Sequence, residues 1–229
     1  MLLTTNMPSP LDNPVLAALT GPHARFAERH RDAARYETDV SPFLGMAEGA
    51  WDDVARLVGP GGIASLAGWS GVVPDGWELV LNVPGVQLVA DTVVGKDEPE
   101  AVRLTAADVP EMLDLVARTE PGPFRKRTIE LGTYLGIRRG GALVAMAGER
   151  MHPPGHTEIS AVCTDPAFRG QGLATRLVLA LVARIRARDE TPFLHAAASN
   201  TDAIRLYEAL GFTLRRELVF AGLRAPSGR

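Results

Sequence analysis

The stretch Thr164-Asp-Pro-Ala-Phe-Arg169-Gly-Gln-Gly172-Leu-Ala174 constrains this chain more than any other. A strand-like run, Thr157 to Thr164, leads into it. Leu173, Leu177, Leu181 and Ile185 follow at the four-residue spacing of an amphipathic helix. Such a strand–turn–helix junction leaves the first backbone N–H groups of the helix without internal partners, and the helix dipole adds positive charge at the same place. Together they form an anion site whose natural occupant is a diphosphate. Gly170 and Gly172 would let a phosphate approach the backbone, and Arg169 could add a charge-assisted contact. Gly-x-Gly alone would equally suit a bare turn or a dinucleotide-binding fold. The dinucleotide fold asks for a third glycine where Thr175 stands. It also asks for an acidic residue at the end of the next strand, where the chain reads Ala196-Ala-Ala198, and for no earlier strands in its domain.

The remaining elements follow from periodicity and punctuation. Residues 14–30 and 50–58 read as amphipathic helices, and Trp77 to Leu81 and Val86 to Val94 as strands separated by Pro84 and Gly85. Gly95 to Glu100 is polar and proline-bearing, as a linker would be. Beyond it the spacing predicts a strand at Ala101 to Leu104. A helix follows from Ala106 to Thr119, with Val109, Met112, Leu113 and Val116 on one face, stopped by Glu120-Pro-Gly-Pro123. Strands at Tyr134 to Arg138 and Ala142 to Met151 flank Arg139-Gly-Gly141, a hairpin signal. After the strand ending at Thr164 come a helix from Leu173 to Ala187, a strand from Pro192 to Ala197, a helix from Thr201 to Leu210 closed by Gly211, and final β structure from Thr213 to Phe220. This order describes a mixed α/β domain. No repeat is visible at the level of residue identity.

Charge and cysteine content narrow the function classes. The net charge of −3 gives no sign of a nucleic-acid partner. It divides unevenly, −8 over residues 1–100 and +5 over residues 101–229, so the basic half suits a small anionic ligand. No apolar run is long enough to span a bilayer, and MLLTTNMPSPLDN lacks the basic and apolar regions of a signal peptide. One cysteine, Cys163, can form neither an internal disulfide nor a cysteine zinc cluster. A cytoplasmic protein with no metal and no membrane partner is the expectation. A homodimer is one assembly open to it.

At this point the sequence resembles the GNAT superfamily of N-acetyltransferases. The family's cofactor motif, Arg/Gln-x-x-Gly-x-Gly/Ala, is matched by Arg169, Gly172 and Ala174. A second block, Asn-x-x-Ala-x-x-Leu-Tyr-x-x-x-Gly-Phe, is matched by Asn200, Ala203, Leu206, Tyr207, Gly211 and Phe212. The resemblance covers residues 100–222 and leans towards the glycine-N-acyltransferase-like branch. It implies a GNAT-like mixed central sheet with flanking helices over 100–222, an acetyl-CoA-binding catalytic domain. Residues 1–95 precede it as a smaller α/β region, either a degenerate acyltransferase-like half or an unrelated cap. It further implies acetyl-CoA as co-substrate. Val162, Cys163 and Thr164 would pair through the backbone with the pantetheine arm. Arg169, Gly170, Gln171, Gly172, Leu173 and Ala174 would hold the diphosphate, Asn200 would bond near the pantetheine amides, and Tyr207 would protonate the leaving thiolate.

Acyl transfer to an amine also needs a proton acceptor and an oxyanion donor. Glu158 is the first candidate base. It lies on the strand leading to the glycine turn, where even-numbered residues Glu158, Ser160 and Val162 would share a face, and a glutamate there is the base in some members of the family. Glu149, His156 and His195 are rivals, and a water could carry the proton instead. A backbone N–H near Val162 could meet the oxyanion. Cys163 reads as a small buried residue rather than a nucleophile. The acceptor expected is a small-molecule amine, with a protein N-terminus or lysine as the variant. A non-catalytic acyl-CoA-binding module and a nucleotide-dependent oxidoreductase are the competing classes.

Overall fold

The computed structural model describes residues 9–69 and 71–227, so the first eight residues of the N-terminal stretch read above lie outside the described residues. The elements are, in chain order, α1 (Pro14–Leu19), β1 (Ala27–His30), β2 (Ala33–Tyr36), β3 (Phe43–Met46), α2 (Trp51–Val58), β4 (Ile63–Trp69), β5 (Glu78–Val89), β6 (Val102–Arg103), α3 (Val109–Thr119), β7 (Tyr134–Arg139), β8 (Ala142–Glu149), β9 (His156–Thr164), α4 (Leu173–Arg186), β10 (Thr191–Ala197), α5 (Thr201–Ala209) and β11 (Thr213–Arg224). The strands form one mixed sheet in the order β1-β2-β3-β4-β11-β5-β10-β9-β8-β7-β6.

The two halves repeat one topology. In the second, β7, β8 and β9 pair antiparallel, and α4 then crosses to β10, which runs parallel to β9. In the first, β1, β2 and β3 pair antiparallel, and α2 crosses to β4, parallel to β3. The strand that follows each unit is exchanged. β5 lies against β10 of the second unit, β11 lies against β4 of the first, and β5 and β11 pair with each other at the centre. The N-terminal region therefore supplies a strand to the middle of the sheet, and the two regions read from the sequence share one framework.

β5 was expected as two strands because Pro84 and Gly85 interrupt it, yet both fit a continuous one. The Pro84 carbonyl accepts from Ala198, beyond the last residue of β10, so the amide that proline lacks faces a point where the neighbouring strand has ended. At Gly85 a Cβ would lie 2.6 Å from the Phe220 ring and 3.0 Å from the Ala196 carbonyl oxygen, so only glycine permits this approach. The helix expected over residues 14–30 stops at Leu19, ahead of Gly21-Pro22, and the chain then turns into β1. Nor is the expected linker free. Lys96 N–H donates to the Leu179 carbonyl at 3.0 Å, and Arg176 grips Glu98 at 2.7 and 2.8 Å and Glu100 at 2.6 Å, so the segment is a strap along α4.

Helices cover both faces of the second unit. α4 buries Leu177, Val178, Leu181 and Ile185 against Val144, Ala145, Ala147, Ile159 and Leu194. On the other face α3 buries Met112 and Leu115 against Tyr134, Met146, Ala161 and Cys163. Each fully buried Leu or Ile contributes roughly 1.5–3 kcal/mol of transfer free energy, which fixes α4, and hence its N-terminus, against the strands.

Candidate active site

The site begins with an irregularity in β9. Met146 pairs with Cys163 and Gly148 with Ser160, so Ala161 and Val162 together oppose the single residue Ala147. This is a β-bulge, with Ala161 at φ 52°, a left-handed conformation that costs an alanine about 1–2 kcal/mol. The bulge inverts the alternation. Glu158 and Ser160 share a face with Cys163, whereas Val162 packs with the α4 side. The expectation that Glu158 and Val162 share a face is corrected accordingly.

The bulge also coincides with a parting of strands. The parallel pairing of β9 with β10 runs only from Thr191 and His156 to Leu194 and Ile159. β10 continues against β5 to Ala197, while β9 continues against β8 to Thr164. Where the strands part, a cleft of about 450 Å³ lies between the end of β9, the start of α4 and helix α5, within the size range of small-ligand sites. Its lining includes Val162, Cys163, Thr164, Arg169, Gly170, Gly172, Leu173, Ala174, Asn200 and Tyr207. These are ten of the twelve residues expected at the site; Gln171, an exposed residue of the turn, and Glu158 are not on the lining.

The floor of the cleft is the start of α4. Gly172 precedes that helix in the left-handed region at φ 71°, and among the described residues no side chain accepts from its first N–H groups. A Cβ built on Gly170 (φ 76°) or Gly172 meets nothing within 4 Å, so the space above the turn is open. Unpartnered amides, a helix dipole and room for an oxyanion thus meet at one place, which suits a diphosphate. The Thr164 hydroxyl, buried in the cleft wall, has no hydrogen-bond partner among the described residues. Such a group calls for a partner from a ligand or water. Asn200 caps α5 through its side-chain oxygen, which accepts from Ala203 N–H at 3.3 Å. Cap and ligand contact remain compatible, because the side-chain amide group is not engaged by that bond.

Tyr207 projects from α5 into the cleft and is 7% exposed. Burial, with the Cys163 sulfur nearby, pushes its phenol up to about 12, so it holds its proton at neutral pH. Burial likewise pushes the Cys163 thiol up to about 11, against the thiolate a nucleophile would need.

Glu158 sits elsewhere. Its side chain is fully buried, and both carboxylate oxygens are occupied: Arg150 donates from Nε at 2.8 Å and from Nη2 at 2.7 Å, and His195 from Nδ1 at 2.7 Å. The Gln87 amide orients that histidine. Its oxygen accepts from Arg215 at 2.8 Å, so its nitrogen faces His195 Nε2 at 3.0 Å and donates to it, leaving the ring proton on Nδ1. Burial opposes the charge on Glu158, but the Arg150 guanidinium outweighs it and holds the carboxyl well below its usual range. A carboxylate so saturated is a weak proton acceptor, and the base expected at this position is better read as a structural anion.

The rival bases are committed too. Glu149, also buried, accepts from Thr133 N–H at 3.0 Å and from Arg188 at 3.1 Å. His156 lies at the opposite end of β9, roughly 20 Å along the strand from Val162. Sequence reasoning missed one wall of the cleft, Thr119, Glu120 and Pro121. Glu120-Pro121 read only as a helix stop, whereas Glu120 takes a left-handed φ of 47° and turns the chain along the cleft.

Comparison with known proteins places this geometry. A family model described as FR47-like protein matches residues 134–221. The N-alpha-acetyltransferase RimI of Mycobacterium tuberculosis is 33% identical over 137 residues, 55% of this chain and 82% of that protein. A mycothiol acetyltransferase of Thermobispora bispora is 32% identical over 133 residues, 52% of this chain, and the match spans only 44% of that longer protein. A crystal structure assigned to the GNAT family of acetyltransferases, from Novosphingobium aromaticivorans, superposes with a TM-score of 0.89 at 40% identity, over 96% of this chain and all of that one. Taken with the bulged strand, the cleft and the uncapped helix, these similarities establish that the chain belongs to the GNAT superfamily of N-acetyltransferases, enzymes that move an acetyl group from acetyl-CoA to an amine.

Proposed function

We propose that the cleft between the end of β9, the start of α4 and α5 is the acetyl-CoA site and that a small-molecule amine attacks the thioester directly within it. The observation that carries this reading is the uncapped N-terminus of α4, open above Gly170 and Gly172 and flanked by Arg169. In this reading Arg169 to Ala174 hold the diphosphate, and the backbone of Val162, Cys163 and Thr164 pairs with the pantetheine arm, for which the parted strands leave an edge. Asn200 bonds the pantetheine from the start of α5. The amine nitrogen forms a bond to the thioester carbonyl carbon, the oxyanion is met by a backbone N–H near Val162, and the carbon–sulfur bond then breaks. Tyr207 gives its proton to the departing sulfur. With Glu158, Glu149 and His195 engaged elsewhere, the amine proton leaves to water.

A peptide N-terminus is a second reading, favoured by one observation: the relative matched over 82% of its length is named an N-alpha-acetyltransferase. Titration calorimetry with acetyl-CoA, followed by thiol release with a panel of polyamines, amino sugars and an alanyl-terminated peptide, tests both. Acetyl-CoA binding with release driven by a small amine supports the main reading. Release driven only by the peptide supports the second. Tight binding without acceptor-dependent release would mark a non-catalytic module. Gly172→Val is expected to abolish acetyl-CoA binding, since it fills the open space and strains a left-handed position; retained affinity would overturn the phosphate assignment.

A further inference from the structure

The N-terminal half is fastened to the segment that continues one wall of the cleft. The cleft wall Thr119–Pro121 runs on into residues 122–131, and this segment is fastened to the turn between β2 and β3. Arg125 Nη1 donates to the Thr38 carbonyl at 2.7 Å, Arg127 N–H to the Asp39 carbonyl at 3.0 Å, and the Arg127 guanidinium pairs with Glu37. At the segment's end Leu131 is buried among Phe26, Tyr36, Val40 and Phe43 of the N-terminal half.

Thr128 is the buried centre of this fastening, 2% exposed. Its hydroxyl donates to the Val40 carbonyl at 2.7 Å and accepts from Arg125 N–H at 2.8 Å. One oxygen thus closes the turn of the segment and bonds it to the other half of the protein. The ion pairs around it are half-exposed and weak by comparison, because water and salt screen them. The buried hydroxyl bonds are not replaceable by solvent.

We propose that Thr128 is a positioning residue for acetyl transfer: its hydroxyl holds the segment 122–131, and through it the cleft wall Thr119–Pro121, against the N-terminal half. The proposal rests on the reading of this cleft as the acetyl-CoA site. It assigns residues 1–95 a part in the reaction, that of setting the wall past which the acceptor amine approaches the thioester. Thr119, Glu120 and Pro121 line the same cleft as Cys163 and Tyr207, the residues that this reading sets around the thioester.

The test compares Thr128→Val, which keeps the shape and deletes both hydroxyl bonds, with Thr128→Ser, which keeps the hydroxyl. Acetyl-CoA affinity is measured by calorimetry, and steady-state kinetics use the panel amine or peptide of highest turnover. The expected result for Thr128→Val is an acceptor KM raised about tenfold, acetyl-CoA affinity within about twofold of wild type, and faster amide exchange over residues 119–128. Thr128→Ser is expected to restore the wild-type acceptor KM. Should Thr128→Val fail to fold, Arg127→Gln and Glu37→Gln, which loosen the same contact from the surface, are expected to raise the acceptor KM by a smaller factor. A wild-type KM in Thr128→Val, a serine variant as poor as the valine one, or no change in either surface variant would overturn the proposal. Wild-type protein that binds no acetyl-CoA would refute the cofactor reading itself, and this inference with it.

Discussion

Arg150 holds Glu158 by two parallel hydrogen bonds, Nε to Oε2 at 2.8 Å and Nη2 to Oε1 at 2.7 Å, with side chains 8% and 0% exposed. The guanidinium also lies 5.1 Å from the centroid of Phe43, so the pair spans the seam between the two halves of the fold. Removing one partner leaves the other charge buried and uncompensated. Glu158→Gln is therefore expected to cost about 3–5 kcal/mol of stability, measured by denaturant unfolding at neutral pH. The folded carboxyl is depressed below its unfolded value of about 4.3, so its contribution is fully present above that value and is lost as pH falls through the folded value. The stability gap between wild type and Glu158→Gln should narrow as pH drops below about 4. If Glu158 were instead the base, the variant would keep most of its stability and lose the ionisation that controls the low-pH side of its pH–rate profile.

Tyr207 presents a different case, because its hydroxyl is poised in the cleft rather than spent on the fold. A phenol pushed up to about 12 keeps its proton at neutral pH and can give it to a thiolate. Tyr207→Phe is expected to lower kcat by roughly 10²-fold or more while leaving acetyl-CoA affinity within about twofold. Stopped thiol-release assays beside calorimetry separate the two quantities. Equal turnover in the phenylalanine variant would move the proton donor to solvent.

Much of the second half of the fold was legible because its signals are local. α4 was expected from Leu173 to Ala187 and runs from Leu173 to Arg186, since four-residue apolar spacing and a glycine start need no knowledge of distant partners. The candidate cleft was legible for the same reason: strand end, glycine turn and helix start are contiguous in the chain. β1 to β4 were missed. Three of them are four residues long, too short for alternation to show, and what stabilises them is pairing with strands elsewhere in the chain. The exchange of β5 and β11 was equally invisible, because it depends on which of two similar sheet edges each strand meets. The surroundings of Glu158 were illegible for two spatial reasons. A bulge at Ala161 broke the parity that placed it beside Val162, and Arg150 and His195, neither of them adjacent in sequence, close on it from another loop and another strand.

Tyr134 gives the sharpest check on how the polar interior is balanced. Its ring fills the space above Gly148, where a Cβ would lie 2.2 Å from the ring, and meets Phe124 edge-on with centroids 5.5 Å apart. Its hydroxyl is buried and has no hydrogen-bond partner among the described residues, although the ionic groups Arg150, Glu158 and Glu149 are near enough to influence it. Leaving a buried hydroxyl unpaired costs about 1–3 kcal/mol. Tyr134→Phe keeps the ring packing and deletes only that unpaired group. Its expected effect on thermal unfolding is a melting temperature equal to or a few degrees above that of wild type, since about 1 kcal/mol moves Tm by roughly 2–4 °C in a chain of this size. A melting temperature several degrees lower would mean that the hydroxyl is satisfied after all, by a water bridging to Arg150 or Glu158. The buried ionic cluster beside β9 would then be a hydrated network rather than a closed pair.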